Sequence, residues 1–182
     1  PVLAACADDP DAAPPLGALM RQLRQAELVS ASTELLQLLR SAWQPGRAWA
    51  GQLLTSALAL AREADSFGGL RVAADWLDPL LTDAEASGGD APTWRELGKL
   101  AQRCLDVIAM QRVVRSMLAA DSLPAETQPV MIQLLTLLAQ FAPDTRTQAL
   151  LEQAATVAPR HPAIALGRAR IAHAQGAELV EI

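Results

Sequence analysis

The sequence predicts an all-α protein made of antiparallel helical hairpins, and three observations support this. Hydrophobic residues make up 51% of the 182-residue chain, yet aromatic residues are only 3% and tyrosine is absent. Alanine and leucine therefore supply the core, which favours close helix packing and offers strands few of the residues that they prefer. Apolar residues recur at helical spacing between short turn signals. In the second half, these helix-turn-helix units return after about 34 residues.

The first half of the chain predicts a leader followed by degenerate hairpins. Residues 1–15 are rich in aspartate and proline, so we expect an extended, poorly ordered leader. Residues 16–87 carry the hairpins, with helices predicted to begin near Leu16, Ser30, Ala48 and Leu70. Gly68 is expected at the turn before the last of these helices. Pro79 predicts a kink or an early stop within it, because proline lacks the N–H that continues a helix.

Residues 88–182 show the more regular pattern. Ser87-Gly88-Gly89-Asp90 predicts a linker, because glycine and aspartate interrupt regular structure. Hairpins then cover residues 91–124 and 127–160. A third begins at Pro162 and carries Ala165, Ala169, Ala172 and Gly176, and it stops unfinished. We therefore expect the chain to be the N-terminal or middle part of a larger bacterial protein.

The second half resembles the tetratricopeptide (TPR) repeat family. Trp94-Arg95-Glu96-Leu97-Gly98 matches the W-x2-L-G opening of that repeat, and the stretch from Ala154 to Pro159 is similar to its end. In the second helix of the first repeat, Met110, Val114 and Met117 stand at the core positions where the family prefers alanine, an aromatic residue and alanine. The resemblance covers about residues 91–176 well and 47–87 weakly. It implies a right-handed α-superhelix, or α-solenoid, of about nine helices whose core forms by stacking of neighbours.

The resemblance also implies a partner-binding surface, because residues one turn apart on the first helix of each repeat line the concave face of such arrays. Carried over position by position, these residues are Arg95, Lys99, Gln102 and Arg103, then Thr136 and Gln140, then Arg170 and His173. They would form a basic, polar strip in an acidic protein. Such a strip suits a carboxylate terminus or an acidic peptide.

Charge and hydropathy narrow the class of partner. The net charge of -5 and the isoelectric point near 5.0 argue against a nucleic-acid binder, which would show a basic face. No stretch approaches the length of a membrane-spanning helix. The two cysteines, Cys6 and Cys104, have no metal-ligand spacing and favour a cytoplasmic, reducing compartment. The alternative is a bacterial envelope lipoprotein anchored through Cys6, because Leu3-Ala4-Ala5-Cys6 resembles a lipobox.

Residues that could carry catalysis are sparse. The chain has no phosphate-binding glycine loop, no H-E-x-x-H motif and no G-x-S-x-G motif, so we expect no enzyme activity and no cofactor. His161 is expected as a solvated loop residue and Cys104 as a buried or half-buried structural thiol. The tryptophans are expected to anchor the core rather than to stack on ligands.

The sequence therefore predicts a protein–protein interaction module that holds a peptide or helix of a partner in its concave groove. One alternative is a non-catalytic helical domain of a larger bacterial enzyme, of the glycosyltransferase or sulfotransferase type. A secretion-type chaperone is another. A plain helical bundle in which the repeats are coincidental also remains open.

Overall fold

A computed structural model of the chain describes residues 18–19, 22–23, 25–26, 28–41, 54, 57, 67–119 and 125–176. All regular structure in this part is helical, which confirms the all-α prediction. The seven helices are α1 (Val29–Ser41), α2 (Phe67–Ser87), α3 (Ala91–Cys104), α4 (Val107–Ala119), α5 (Gln128–Phe141), α6 (Thr145–Val157) and α7 (Pro162–Ala174). None of the described helices is long and apolar enough to cross a membrane.

Several sequence predictions lie outside the described residues. These are the leader at 1–15, most of the helices predicted from Leu16 and Ala48, the tail after Gly176, and the side chains of Cys6, Trp43 and Trp49. They stay predictions.

The chain divides into two compact units, residues 1–104 and 105–182. The division falls between α3 and α4, inside the hairpin predicted for 91–124. Leu105 ends α3 with a φ of 53°, a left-handed conformation that usually belongs to glycine. Asp106 then begins α4, because its Oδ1 accepts a hydrogen bond of 2.9 Å from the N–H of Ala109.

In unit 1, α1 packs against α2 around Trp76, which is fully buried. Its indole Nε1 donates a hydrogen bond of 3.1 Å to the carbonyl of Leu36 in α1. Leu36, Leu77 and Leu81 are buried with it. The bond gives the polar atom of the ring a partner inside the core, so Trp76 anchors the core as predicted.

The helix α2 runs without interruption through Pro79, so the predicted early stop is wrong. Proline has no N–H, and the carbonyl four residues earlier, that of Asp75, therefore lacks its usual helical donor. Arg40 of α1 replaces this donor: its Nε lies 3.2 Å from the Asp75 oxygen. The predicted turn at Gly68 is also wrong, because Gly68 lies in the first turn of α2.

The predicted linker after α2 is confirmed and has a defined geometry. Gly88 adopts a φ of 71°, and the N–H of Gly89 returns to the carbonyl of Ala84 at 2.8 Å, which closes the end of α2. A Cβ at Gly89 would lie 3.2 Å from the Cβ of Ala84 and 3.3 Å from the Trp94 ring, so a larger residue there would require these neighbours to shift slightly. The Oδ1 of Asp90 then accepts from the N–H of Thr93 at 2.9 Å and begins α3.

The helix α3 packs against α2 and buries the residues of the W-x2-L-G motif. Its buried residues are Trp94, Leu97, Gly98, Leu100 and Ala101. Trp94 is therefore a core residue, as predicted. Cys104, at the end of α3, is half-buried, which also agrees with the sequence analysis.

In unit 2, each helix packs against the next helix and the one after it. Contacts join α4 to α5 and α6, α5 to α6 and α7, and α6 to α7. The core positions predicted for α4 are buried: Met110, Val114 and Met117 are at most 2% exposed. Leu134 and Leu151 are fully buried as well. The core of this unit therefore follows the apolar pattern of the sequence.

The last helix buries residues other than the alanines at repeat spacing. Ala165 and Ala169 are exposed, and α7 buries Ile164, Gly167 and Ile171 instead. A Cβ at Gly167 would lie 3.0 Å from a methyl group of Leu151 in α6, so glycine permits the close approach of the two helices. Bulkier apolar residues contribute more to the core than the alanines do.

His161 is not a solvated loop residue, as the sequence suggested, but the N-cap of α7. Its Nδ1 accepts a hydrogen bond of 3.3 Å from the N–H of Ala163, and its side chain is half-buried. This contact satisfies one of the backbone donors that the first turn of a helix leaves unpaired. The neighbouring Pro162 supplies the fixed φ that suits the first helical position.

Candidate partner-binding surfaces

The four strip residues of unit 1 lie along α3. Arg95, Gln102 and Lys99 are half-buried, and Arg103 is exposed. A residue outside the predicted strip joins two of them. The Oε1 of Glu96 accepts a hydrogen bond of 3.2 Å from Arg95 Nε and one of 2.6 Å from Lys99 Nζ.

Glu96 lowers the positive charge that this strip can offer to a ligand. Burial opposes its ionisation, but the hydrogen bonds and charges of Lys99 and Arg95 outweigh burial and hold the pKa of the carboxyl below its usual value. Glu96 is therefore ionised at neutral pH and partly neutralises both cations. Selecting sequence positions one helical turn apart leaves out Glu96, although this residue directly follows Arg95 in the repeat opening.

The other strip residues belong to unit 2. Gln140 is exposed at the end of α5, and Arg170 and His173 are exposed on α7, which packs against α5. Thr136 is half-buried and donates its hydroxyl hydrogen bond to the carbonyl of Ile132 at 2.8 Å. The prediction that the residues of both units form one continuous surface stays a prediction.

A second surface, which the sequence analysis did not predict, is a groove between α4 and α6 in unit 2. We call it the α4–α6 groove. It has a volume of about 430 Å³. Its lining residues are Ile108, Gln111, Arg112, Arg115, Arg146, Ala149, Leu150 and Gln153. Each helix contributes four residues at the spacing i, i+3, i+4 and i+7, which places them on one helical face.

The groove is strongly basic. Arg112, Arg115 and Arg146 are among its lining residues, and none of those lining residues is acidic. Arg146 lies in the first turn of α6, where the unpaired N–H groups already carry partial positive charge. A cation is unfavourable at that position for the stability of the helix. The ionised carboxylate of Asp144, the N-cap of α6, interacts with this charge and offsets part of it.

A buried polar network fixes α4 against α6 beside the groove. Gln111 is only 8% exposed, and its Nε2 lies 3.3 Å from each carboxylate oxygen of Asp144 and 3.2 Å from the hydroxyl of Thr147. Asp144 in turn caps α6, because its Oδ1 accepts from the N–H of Thr147 at 2.7 Å. Within the described part of the chain, all hydrogen bonds of the Gln111 amide use its nitrogen.

The Asp144 carboxyl is held in its ionised form. Burial is the largest single influence and opposes ionisation, but hydrogen bonds from Thr147 and Gln111, together with the charge of Arg146, bring the pKa below its usual value. The ionised Asp144 carboxylate therefore accepts the hydrogen bonds of this network, and the positive charge of Arg146 favours its ionised form.

The sequence did carry a signal for the α4–α6 groove. Its four α4 residues and its four α6 residues correspond one to one at an interval of 38 residues, from Ile108 and Arg146 to Arg115 and Gln153. The TPR resemblance directed attention to the first helix of each repeat, whereas α4 and α6 are second helices. A search for arginines on matching helical faces would have selected these residues, but not the packing that brings the two helices together.

A smaller cavity of about 300 Å³ lies in unit 1 beside the linker after α2. Asp83, Asp90 and Thr93 contribute to its lining, together with Leu80 and the linker glycines. Asp90 is already engaged as the cap of α3. Among the described residues, no group of three or more His, Cys, Asp or Glu side chains is placed to hold a metal ion.

The chain matches no protein-family model, and neither a curated protein nor a solved structure shows significant similarity to it.

Proposed function

We propose that the chain is a protein-interaction module, built as a TPR-like right-handed superhelix, that binds an acidic segment of a partner protein. The observation that carries this proposal is the basic α4–α6 groove, where three arginines line an open surface without an acidic residue in its lining. Guanidinium groups bind carboxylates through paired, charge-assisted hydrogen bonds, so three of them favour a ligand with several carboxylates.

Two further observations support a protein ligand, and a third supports the repeat architecture. The groove is lined by apolar as well as basic side chains, since Ile108 is 65% exposed and Leu150 lies in the lining. The chain as a whole is acidic, which disfavours binding of nucleic acid. The packing of each unit 2 helix against its next two neighbours is typical of stacked hairpins.

The predicted strip is retained as a second contact surface in this proposal. Arg95, Lys99, Gln102 and Arg103 would extend the contact in unit 1, and Gln140, Arg170 and His173 in unit 2. The Glu96 carboxylate already binds Arg95 and Lys99, so an incoming acidic ligand must compete with it for this surface.

The test is the binding of a fluorescein-labelled hexaglutamate peptide, followed by fluorescence anisotropy in low salt. The Arg112→Glu/Arg115→Glu variant should bind at least about tenfold more weakly than the wild type. The Arg160→Glu/Arg168→Glu variant is the matched control: it changes exposed arginines of the same unit and carries the same net charge.

The two double variants separate the α4–α6 groove from general electrostatics. Full affinity in the Arg112→Glu/Arg115→Glu variant would overturn the proposal, as would an equal loss in both double variants. The Lys99→Glu/Arg103→Glu variant measures the strip in the same assay, and we expect a smaller loss from it. Circular dichroism of each variant checks that the helices remain folded.

A further inference from the structure

We infer that protonation of His161 opens the first turn of α7, so that this helix is held at neutral pH and loosened in mild acid. The inference goes beyond the proposed function and does not depend on the ligand. Three observations carry it: the acceptor that the imidazole supplies, the first-turn N–H groups that donate to this residue, and the charges around it.

The imidazole of His161 caps α7 as a hydrogen-bond acceptor. Its Nδ1 accepts a hydrogen bond of 3.3 Å from the N–H of Ala163. A ring nitrogen that accepts carries no proton, so the ring is neutral and its proton lies on Nε2. The protonated ring has an N–H at both nitrogens and no acceptor. One added proton therefore replaces this hydrogen bond by two donors that face each other.

The first three N–H groups of α7 all donate to His161. Pro162 has no N–H, and the N–H of Ala163 donates to the imidazole. Those of Ile164 and Ala165 lie 3.1 Å and 3.4 Å from the carbonyl oxygen of His161. Ile164 is only 3% exposed, so the same turn places a core residue. A displacement of His161 from its cap position therefore affects the whole first turn.

Protonation also places a cation at the end of the helix that is already positive. The N-terminus of a helix carries partial positive charge and its C-terminus partial negative charge. The chain has one other histidine, His173, and it lies in the last turn of α7. Protonation is thus unfavourable at His161 and favourable at His173. The two histidines of this helix therefore respond to acid in opposite directions.

The charged groups near His161 do not offset this effect. The helix α7 packs against α5, which contains no charged residue, and against α6. The charged and titratable groups of these helices and their flanking residues are Glu126, Asp144, Arg146, Glu152, Arg160, Arg168, Arg170 and His173. Within residues 125–176, none of the acidic ones forms an ion pair with His161. Arg160, the preceding residue, adds a further positive charge.

The sign of the pH dependence follows from these contacts. The folded turn favours the neutral imidazole, so the opened turn binds more protons in the range where histidine changes its charge. The stability of the turn therefore rises with pH between about pH 5 and about pH 8, and it falls as the solution is acidified. Because the turn loses its N-cap, the opening equilibrium should increase about three- to tenfold.

Hydrogen exchange of the full chain, followed by mass spectrometry of peptides from residues 160–171, tests the inference. Rates at about pH 7.5 and about pH 5 are corrected for the intrinsic pH dependence of exchange. We expect the protection of these amides to fall about three- to tenfold in acid. His161→Asn keeps an acceptor at the cap and does not titrate, so its protection should be equal at both pH values. His173→Gln is the matched control and should keep the wild-type fall.

Equal protection of the wild type at both pH values overturns the inference, as does an equal fall in His161→Asn. Loss of the fall in His173→Gln would assign the response to that residue and overturn it as well. Heteronuclear NMR of the histidine side chains is a second test that needs no variant: at neutral pH, the ring proton of His161 should lie on Nε2. A proton on Nδ1 would show that the cap hydrogen bond is absent. These outcomes do not involve hexaglutamate, so the proposed function is tested separately.

Discussion

At the scale of single residues, Glu96 controls how much charge α3 presents to a ligand. Its carboxylate binds Arg95 and Lys99 together, and both contacts are at least partly exposed to solvent. Ion pairs in such positions contribute little to stability, about 0–1 kcal/mol. Their effect on binding is larger than on folding, because an incoming carboxylate must compete with one that is already in place.

We therefore expect Glu96→Gln to strengthen the binding of hexaglutamate by α3. The measurement is made in the Arg112→Glu/Arg115→Glu background, so that the α4–α6 groove does not contribute. The affinity should rise about two- to fivefold in low salt, and the gain should disappear as added salt screens the charges. Glu152→Gln, which removes an exposed carboxylate of α6, is the control. An equal gain in the control would mean that net charge alone is responsible.

Asp144 makes the stability of unit 2 depend on pH. Its folded-state pKa is lowered, so the ionised form stabilises the fold at pH values above the unfolded-state pKa of about 3.9. This contribution is lost as the pH falls through the still lower folded-state value. Below pH 4, the wild type should lose free energy of unfolding more steeply than Asp144→Asn, which keeps the shape of the side chain but cannot titrate. Urea titrations between pH 2 and 6 would measure this, and parallel pH curves would contradict it.

At the scale of elements, Pro79 and Arg40 form a pair that joins α1 to α2. The proline deprives the Asp75 carbonyl of its helical donor, and the guanidinium of Arg40 supplies another. Arg40 also lies 6.0 Å from the centroid of the Trp76 ring, within reach of a cation–π contact. A residue that would usually break a helix thus creates an acceptor for the neighbouring helix.

A double-mutant cycle tests this pair. Arg40→Met should destabilise the wild type by about 1–2 kcal/mol, because the Asp75 carbonyl loses its replacement donor. The same change should cost less in Pro79→Ala, where the backbone N–H of residue 79 pairs with that carbonyl. Chemical denaturation followed by tryptophan fluorescence gives all four free energies of unfolding. A coupling energy of zero would show that the two residues act independently.

The helices that the sequence predicts well are those with a clear apolar period and a marked end. The glycine-marked end of α2 and the buried positions of α4 are predicted correctly for this reason, because each follows from a local rule. Where α2 continues through Pro79, the Asp75 carbonyl receives its hydrogen bond from Arg40, 39 residues before the proline, and no local rule predicts this contact. The end of α3 is equally hard to predict from the sequence, since Leu105 adopts a left-handed conformation that is usually expected of glycine.

The candidate site was less predictable than the fold. Arg95 and Lys99 could be selected from their spacing, but the position of the Glu96 side chain between them is a matter of rotamers. The α4–α6 groove depends on the packing of two helices that are separated by α5 in the sequence. Charge and spacing identify such faces only after it is known which helices are neighbours.

At the scale of the whole molecule, charge is distributed unevenly between the two units. Residues 105–182 contain six arginines and seven acidic residues, so the net charge of -5 divides into -4 for residues 1–104 and -1 for residues 105–182. The acidic character of the chain therefore belongs mainly to unit 1. Unit 2, which holds the basic groove, is close to neutral.

We expect a fragment of residues 105–182 to remain helical and to bind hexaglutamate at least as tightly as the full chain. Unit 2 has its own buried core, and the fragment lacks most of the negative charge that repels the peptide. Far-UV circular dichroism and fluorescence anisotropy measure the two properties. The same fragment with Arg112→Glu/Arg115→Glu controls for nonspecific binding. A fragment without helical signal would show that residues 105–182 need the rest of the chain to fold.

Because the units divide after Cys104, intrinsic fluorescence reports on unit 1 and not on unit 2, which has neither tryptophan nor tyrosine. All four tryptophans precede Leu105, and the chain contains no tyrosine. Tryptophan emission during heating therefore follows unit 1 alone, whereas circular dichroism follows the helices of both units. Coincident transitions would indicate one cooperative molecule, and separate transitions two. A Phe141→Trp replacement at the exposed end of α5 would give unit 2 an optical signal of its own.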